Sequence, residues 1–298
     1  MAPMGGLILS DVDGTLVHYP SSGGSDQASG SGTVLTLPPS STGLRGHISL
    51  STLEHVQRLR SQGHAFVIVT GMRASTFFAR LPWLPLCDGY AIENGGRLFW
   101  SDPSRGTAAC LAEDLGWAAQ HAAASPPSQE EVSPASRTGV LWDTYRRLVA
   151  AGYTCDAAGY CTQFRIKTAA GDGPESEQRL RQLLADLPRE LTSAFNLGCA
   201  DIYASTSGKA NAASYVAARF GLALGDTRCV FLCDDDNDVE LAQRVDKAFV
   251  VGVNSQSMAD AIRTAKRPEQ FVLPPDGVAG TAATEAMLAA VEAHLRNT

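Results

Sequence analysis

Lysine is nearly missing from this chain. Only Lys167, Lys209, Lys247 and Lys266 occur among its 24 basic residues, and the net charge is −7. No segment clusters Lys and Arg, which argues against the electrostatic footprint of a nucleic-acid-binding protein. Long apolar runs are also missing: none approaches the roughly 20 residues that span a bilayer, so no membrane partner is expected. Asp11 arrives too soon for a secretory signal to precede it. The seven cysteines include no CxxC pair, and none has zinc spacing to a histidine. Reduced thiols are therefore expected, in the cytoplasm or an organelle stroma. His18, His47, His55, His64, His121 and His294 are scattered and suggest no role, and no internal repeat is visible. What remains is 298 residues of ordinary globular composition, 44% hydrophobic and 18% charged. That is enough for one large domain or two modest ones.

The pattern along the chain favours alternating strands and helices. Leu7 to Ser10 reads as a buried strand that ends on "DVDGT". Residues 17–46 carry "SSGGSDQASGSG", a low-complexity stretch expected to be a surface loop. A helix follows, with Ser51 and Glu54 as a capping box and Leu50, Leu53, Val56 and Leu59 on one face. Ala65 to Val69 is too apolar for a half-exposed strand and suits a parallel sheet covered on both faces. A short helix, "RASTFFARL", and a strand, Tyr90 to Ile92, give β-α-β-α-β, the order of a doubly wound α/β sheet. The middle is different. "HAAASPPSQEEVSPAS" is loop-like, Thr162 to Ala169 reads as a strand, and "SEQRLRQLLADL", "LTSAFN" and "ADIYAS" read as helix, strand, strand. After Lys209 the α/β alternation resumes. We therefore expect a doubly wound, Rossmann-like parallel sheet from residues 1–97 and 205–298, interrupted by an α+β domain over 98–204.

In an open parallel sheet, ligands bind beyond the carboxyl ends of the strands. Three of these strands end in polar residues: Asp11-Val12-Asp13, Thr70-Gly71, and "CDDDND" from Cys233 to Asp238. Carboxylate clusters converging in one crevice repel unless a cation joins them. Oxygen-only ligands select a hard ion, and Mg²⁺ is the leading candidate. Thr70 adds a neutral donor, and Lys209 a point charge suited to phosphate. Each motif alone has an ordinary reading, as a turn, a solvated lysine or an acidic helix cap. Their joint order at element boundaries sets them apart.

"DVDGT", "VTG", a lone lysine ahead of a helix and "DDDND" together resemble the four motifs of the haloacid dehalogenase superfamily, in the right order and over nearly the whole chain. The resemblance implies that Asp11 is a nucleophile forming an aspartyl-phosphate and that Asp13 is the general acid/base. It makes Thr70, Gly71 and Lys209 phosphate-holding residues. Asp234 and Asp238 join Asp11 and the backbone carbonyl of Asp13 as Mg²⁺ ligands, with Asn237 at an outer position. Dehalogenases lack an acid at the position of Asp13, and ion-pumping ATPases have Thr there, so Asp13 points to phosphatase or phosphomutase chemistry.

The insertion between the second and third motifs implies the large α+β cap of the second class. "ENGG", Glu93 to Gly96, and "ADIYASTSGKA" resemble the branch holding Cof-type and sucrose-phosphate phosphatases. Cys233, Ala210 and Met72 depart from the usual motif residues without removing a catalytic group. The expected activity is a phosphatase for a sugar phosphate or similar small phosphomonoester. A sugar phosphomutase and a catalytically silent sugar-phosphate-binding protein are the alternatives. Arg73, Asn94, Glu93 and Arg97 are candidates at the cleft, and Arg165 and Lys167, alternating on one strand face, are candidates in the cap. The Gly95-Gly96 turn and Ser205 to Gly208 are the expected hinges of a mobile cap.

Overall fold

The computed structural model describes residues 5–20, 33–40, 43–102, 111–127, 129–167, 174–196 and 199–298. The Gly/Ser-rich residues 21–32 and the end of the expected strand at 168–169 lie outside the described residues.

The core opens with β1 (Leu7–Ser10). A small hairpin, β2 (Val34–Thr36) with β3 (His47–Ser49), then leads directly into α1 (Leu50–Ser61). Because the strand runs straight into the helix, Ser49 is the cap: its Oγ accepts from the Thr52 N–H at 3.0 Å. The expected box of Ser51 with Glu54 does not form, and the buried face is Thr52, His55, Val56 and Leu59 rather than one that includes Leu50. Next come β4 (Ala65–Val69), α2 (Ala74–Arg80), β5 (Gly89–Ile92), β6 (Arg97–Ser101) and β7 (Leu111–Glu113). Then comes α3 (Leu115–Ala119), whose Trp117 is buried in the core layer beside α6, and the smaller unit contains α4 (Val140–Ala150), β8 (Cys155–Asp156), β9 (Gln163–Ile166), α5 (Pro174–Ala185), β10 (Leu191–Asn196) and β11 (Cys199–Ala204). The chain returns through α6 (Lys209–Arg219), β12 (Cys229–Cys233), α7 (Val239–Arg244), β13 (Lys247–Val250), α8 (Gln256–Arg263), β14 (Phe271–Val272) and α9 (Gly280–Arg296).

Eight strands form one sheet in the order β14-β13-β12-β1-β4-β5-β6-β7. The first six are parallel, and β6 and β7 add antiparallel strands at one edge. Alternation along each central strand explains the double winding. On β1, Ile8 faces one apolar layer with α1 and α9, while Leu7 and Leu9 face the other with α6, α7 and α8. Phe66 and Ile68 of β4 and Val230 and Leu232 of β12 follow Ile8. All these side chains are buried, and each such burial contributes roughly 1.5–3 kcal/mol. The second sheet, β10-β11-β9-β8, is antiparallel throughout. It has its own apolar cluster around Leu141, Trp142, Phe164 and Ile202.

The boundary expected at 97/98 falls inside the large sheet. Residues 93–96 are the turn of the β5–β6 hairpin, closed by the Ile92–Arg97 pair, so Gly95-Gly96 is not a linker between the two sheets. The helix α4 inside the stretch after the proline-rich loop was also not foreseen, although it contributes the buried Leu141 and Trp142.

Candidate active site

β1 lies between β12 and β4, where the strand order reverses direction. At such a switch point the loops leaving adjacent strands diverge and open a crevice. Asp11 is the first residue past β1, and its N–H still donates to Leu232 O of β12 at 3.0 Å. The chain then turns sharply: Val12 O accepts from the N–H groups of Thr15, Leu16 and Val17 at 3.2, 2.9 and 2.8 Å. Val12 is buried in the apolar layer beneath. Alternation around it leaves Asp11 and Asp13 both on the cleft. Gly14 follows at φ +88°, and a Cβ there would stand 2.0 Å from Asp234 Oδ2. Glycine is required twice, for the left-handed turn and for the approach of that carboxylate.

Asp234 leaves the end of β12. Thr15 Oγ1 donates to its Oδ1 at 2.6 Å and Asn254 Nδ2 to its Oδ2 at 2.7 Å. Asp235 caps the short turn that follows, accepting the Asp236 N–H at 2.7 Å. That turn brings Asp238 back under Asp234, whose N–H donates to Asp238 Oδ2 at 3.2 Å. Lys209, the first residue of α6, reaches in from below. Its Nζ lies 2.7 Å from Asp238 Oδ1 and 3.1 Å from Asp11 Oδ1. Among the described residues the buried Asp11 Oδ1 has no hydrogen-bond partner beyond its contact with that ammonium.

Asp11, Asp234 and Asp238 present carboxylate oxygens that all lie within 4.8 Å of one another. Burial, and then the charges of Asp238 and Asp11, raise the Asp234 pKa well above the usual carboxylate range. Burial raises that of Asp238 to about 7 against the pull of Lys209. Burial alone would favour neutral Lys209, but Asp11 and Asp238 outweigh it and keep the ammonium charged. One cation facing three buried acids leaves the site short of positive charge. The orphaned Asp11 oxygen and the all-oxygen donor set fit a hard divalent cation such as Mg²⁺.

Thr70 and Gly71, beyond β4, line the same cleft, as do Arg73 and Asn237. Thr70 is buried, and its Oγ1 accepts the Met72 N–H at 3.2 Å. Arg73 donates to Ala158 O at 2.6 Å and to Asp156 Oδ2 at 3.2 Å, and stacks over the Tyr160 ring at 4.4 Å, so it holds the smaller unit against the core. Arg165 also lines the cleft, paired in two places with Asp201 at 2.6 and 2.9 Å. Four candidates are not brought there. Asn94 is buried behind the cleft, donating to Gln163 Oε1 at 2.9 Å and Asp201 Oδ2 at 3.3 Å. Lys167 is half exposed on Asp156 at 3.0 Å. Glu93 and Arg97 are likewise engaged inside the protein, Arg97 with Glu113 at 2.7 Å.

Four site residues went unforeseen. Thr15 lies inside the "DGT" run, which was the available signal. Asn254, Tyr19 and Arg80 stand alone in sequence and carry none. Tyr19 O–H and Arg80 Nη1 both donate to Asp13 Oδ1, Arg80 at 3.1 Å. The cleft measures about 990 Å³. Its far wall is formed by Leu273 to Thr281, running into the start of α9, and by His18, Val34, Leu44 and His47 around the hairpin.

No protein-family model and no curated protein matches this sequence. Solved structures do. The chain is similar to the sucrose-phosphatase of Synechocystis sp. PCC6803, solved with sucrose and phosphate, at 16% identity and TM-score 0.65 over 99% of this chain and 98% of that one. It is similar to the HAD subclass IIB sugar phosphatase BT4131 at 15% identity and TM-score 0.58, covering 97% and 98%. BT1666 from Bacteroides thetaiotaomicron, a phosphatase of the same superfamily, gives 15% and 0.58 over 98% and 96%. The fold is therefore the haloacid dehalogenase fold, a Rossmann-like core carrying a large α+β cap.

Proposed function

We propose that this protein is a Mg²⁺-dependent phosphatase acting on a sugar phosphate or a similar small phosphomonoester through an aspartyl-phosphate on Asp11. The convergence of Asp11, Asp234 and Asp238 on one point, with Lys209 as their sole close cation among the described residues, carries this reading. The similar structures named for sugar phosphatases support the substrate class.

Asp11, Asp234 and Asp238, with the Asp13 carbonyl, would hold Mg²⁺, which when bound supplies charge neutralisation to the phosphoryl oxygens. Asp11 attacks phosphorus while Asp13 protonates the leaving oxygen. Asp13 then takes a proton from the water that hydrolyses the acyl phosphate, so one difficult displacement becomes two easier ones. Lys209 stabilises charge on the transferring group, and Thr70 and the Gly71 backbone hold it in line. Specificity falls to the groups beyond the phosphate: Arg165, Tyr160 and Arg73 on the cap side, and the hairpin and 273–281 wall opposite. We further propose that the smaller unit, the sheet β10-β11-β9-β8 with α4 and α5, acts as a cap that excludes water during transfer and opens for hydrolysis and release.

Inorganic phosphate release across a panel of sugar phosphates, with Mg²⁺ and with EDTA, tests the reading. Release that needs Mg²⁺ is expected. Isomerisation without net release would indicate a mutase, and tight binding without turnover a silent binding protein.

A further inference from the structure

We infer that Tyr19 and Arg80 are positioning residues for Asp13, turning its Oδ1 into the protein and presenting Oδ2 to the leaving group. The inference rests on the phosphatase reading above and adds to it residues outside the four motifs.

Arg80 ends α2 and is fully buried. Its guanidinium divides its donors. Nε and Nη2 go to the carbonyls of Pro38 and Leu44 at 3.1 and 3.4 Å, and Nη1 goes to Asp13 Oδ1 at 3.1 Å and to Tyr19 Oη at 2.6 Å. The Tyr19 hydroxyl passes its own hydrogen to the same Asp13 Oδ1. Asp13 is the carboxylate that Arg80 pairs with, and the Asp13 side chain keeps 37% exposure on the cleft.

Both donors fall on one oxygen, and among the described residues Oδ2 takes none. In a carboxylic acid the carbonyl oxygen is the better acceptor and the hydroxyl oxygen carries the proton. Two donors on Oδ1 thus make it the carbonyl oxygen and place the acidic proton on Oδ2, toward the cleft. When the Asp11–phosphorus bond forms and the phosphorus–leaving-group bond breaks, that proton moves from Oδ2 to the leaving oxygen. The Asp13 carboxylate left behind is already paired with a buried guanidinium. In the second step Oδ2 takes a proton from water as the oxygen of water bonds phosphorus and the Asp11–phosphate bond breaks. Atoms and charge balance over the cycle. The segment after the first motif acquires a purpose here: its ends supply Tyr19 and the two carbonyls that fix Arg80.

The test is a leaving-group series. Tyr19→Phe keeps the ring and removes the hydroxyl. kcat/KM is measured for wild type and variant on substituted phenyl phosphates of similar size, with thermal melts to confirm folding. General acid catalysis is worth about 10²–10⁴-fold. Partial loss of its alignment should therefore cost about threefold on the most acidic phenol and about 30-fold on the least acidic. Arg80→Lys, which keeps the charge but loses the fork, should steepen the dependence similarly. Equal losses along the series, or no loss in Tyr19→Phe, would overturn the positioning role and leave the phosphatase reading intact. A wild type that releases phosphate from no phosphomonoester would overturn the phosphatase reading, and this inference with it.

Discussion

One buried glutamate and a set of three buried aspartates sit beyond strands of the same sheet, and they are treated in opposite ways. Beyond β5, Glu93 is buried at φ +53°. It receives the N–H groups of Ala74, Cys161 and Thr162 at 3.1, 3.0 and 2.7 Å and the Thr162 hydroxyl at 2.7 Å. Burial raises its pKa, and these neutral donors pull it back. Beyond β1 and β12, Asp11, Asp234 and Asp238 have fewer donors, one close ammonium and an orphaned oxygen. Burial of an acid is therefore not by itself a mark of function. Glu93 is a completed structural joint between core and cap, whereas the acids of the cleft floor are left short of positive charge.

The contrast breaks most visibly under neutralisation. Asp11→Asn should lower phosphate release by about 10³-fold or more, the scale on which losing an attacking group acts. Its metal-free melting temperature should hold or rise, since a crowded charge is removed. Near-normal turnover in folded protein would remove Asp11 from the chemistry. Glu93→Gln should do the reverse. The amide sets an NH₂ against groups that are themselves donors, at a cost of about 2 kcal/mol, or about 4 °C in melting temperature. A variant as stable as wild type would show that the joint bears no load.

A third measurement sharpens the difference through pH. Asp238, with a folded pKa near 7, and Asp234, also raised, hold protons that their unfolded forms release near 3.8. Their contribution to metal-free stability is full below about pH 4 and is lost as pH rises towards 7. Mg²⁺ must displace those protons. The rise in melting temperature on adding Mg²⁺ should therefore be larger at pH 8 than at pH 5.5. A rise independent of pH would mean that the metal binds elsewhere. The smallest effect is expected in the cap. Arg165→Ala should lower kcat/KM for a sugar phosphate more than for an aryl phosphate, because Arg165 lines the cleft. Lys167→Ala, paired on the outside with Asp156, should stay within about twofold on both. A larger selective loss at Lys167 would place it in the cleft after all.

The sequence made the cleft floor legible because buried parallel strands must end on polar residues somewhere, and only ligand sites end several of them on acids. Asp11, Thr70 and Asp234 each close an apolar run, so motif and element boundary coincide. Glu93, Asn94 and Lys167 show the limit. They are the residue types of a site, but burial and partners decide their work, and neither is written locally. Tyr19 and Arg80 were hidden for the same reason, since a buried arginine looks like any helical surface arginine until Pro38 and Leu44 cover it. The strands β6 and β7 were missed because they form an antiparallel edge, which lacks the uniformly apolar signature of the central strands.

The position of β1 between β12 and β4 also sets a timetable. Thr15 and Asp234, joined at the floor of the cleft, are 219 residues apart. Closing so long a loop is entropically late, and non-local parallel pairing is slow. Until β12 docks, Leu7 to Ser10 are an open apolar edge of the kind that recruits other chains. Asp11, the proposed nucleophile, is thus synthesised long before Asp234 and Asp238 and is set in place only when they dock, so the growing chain carries that carboxylate unarmed until then.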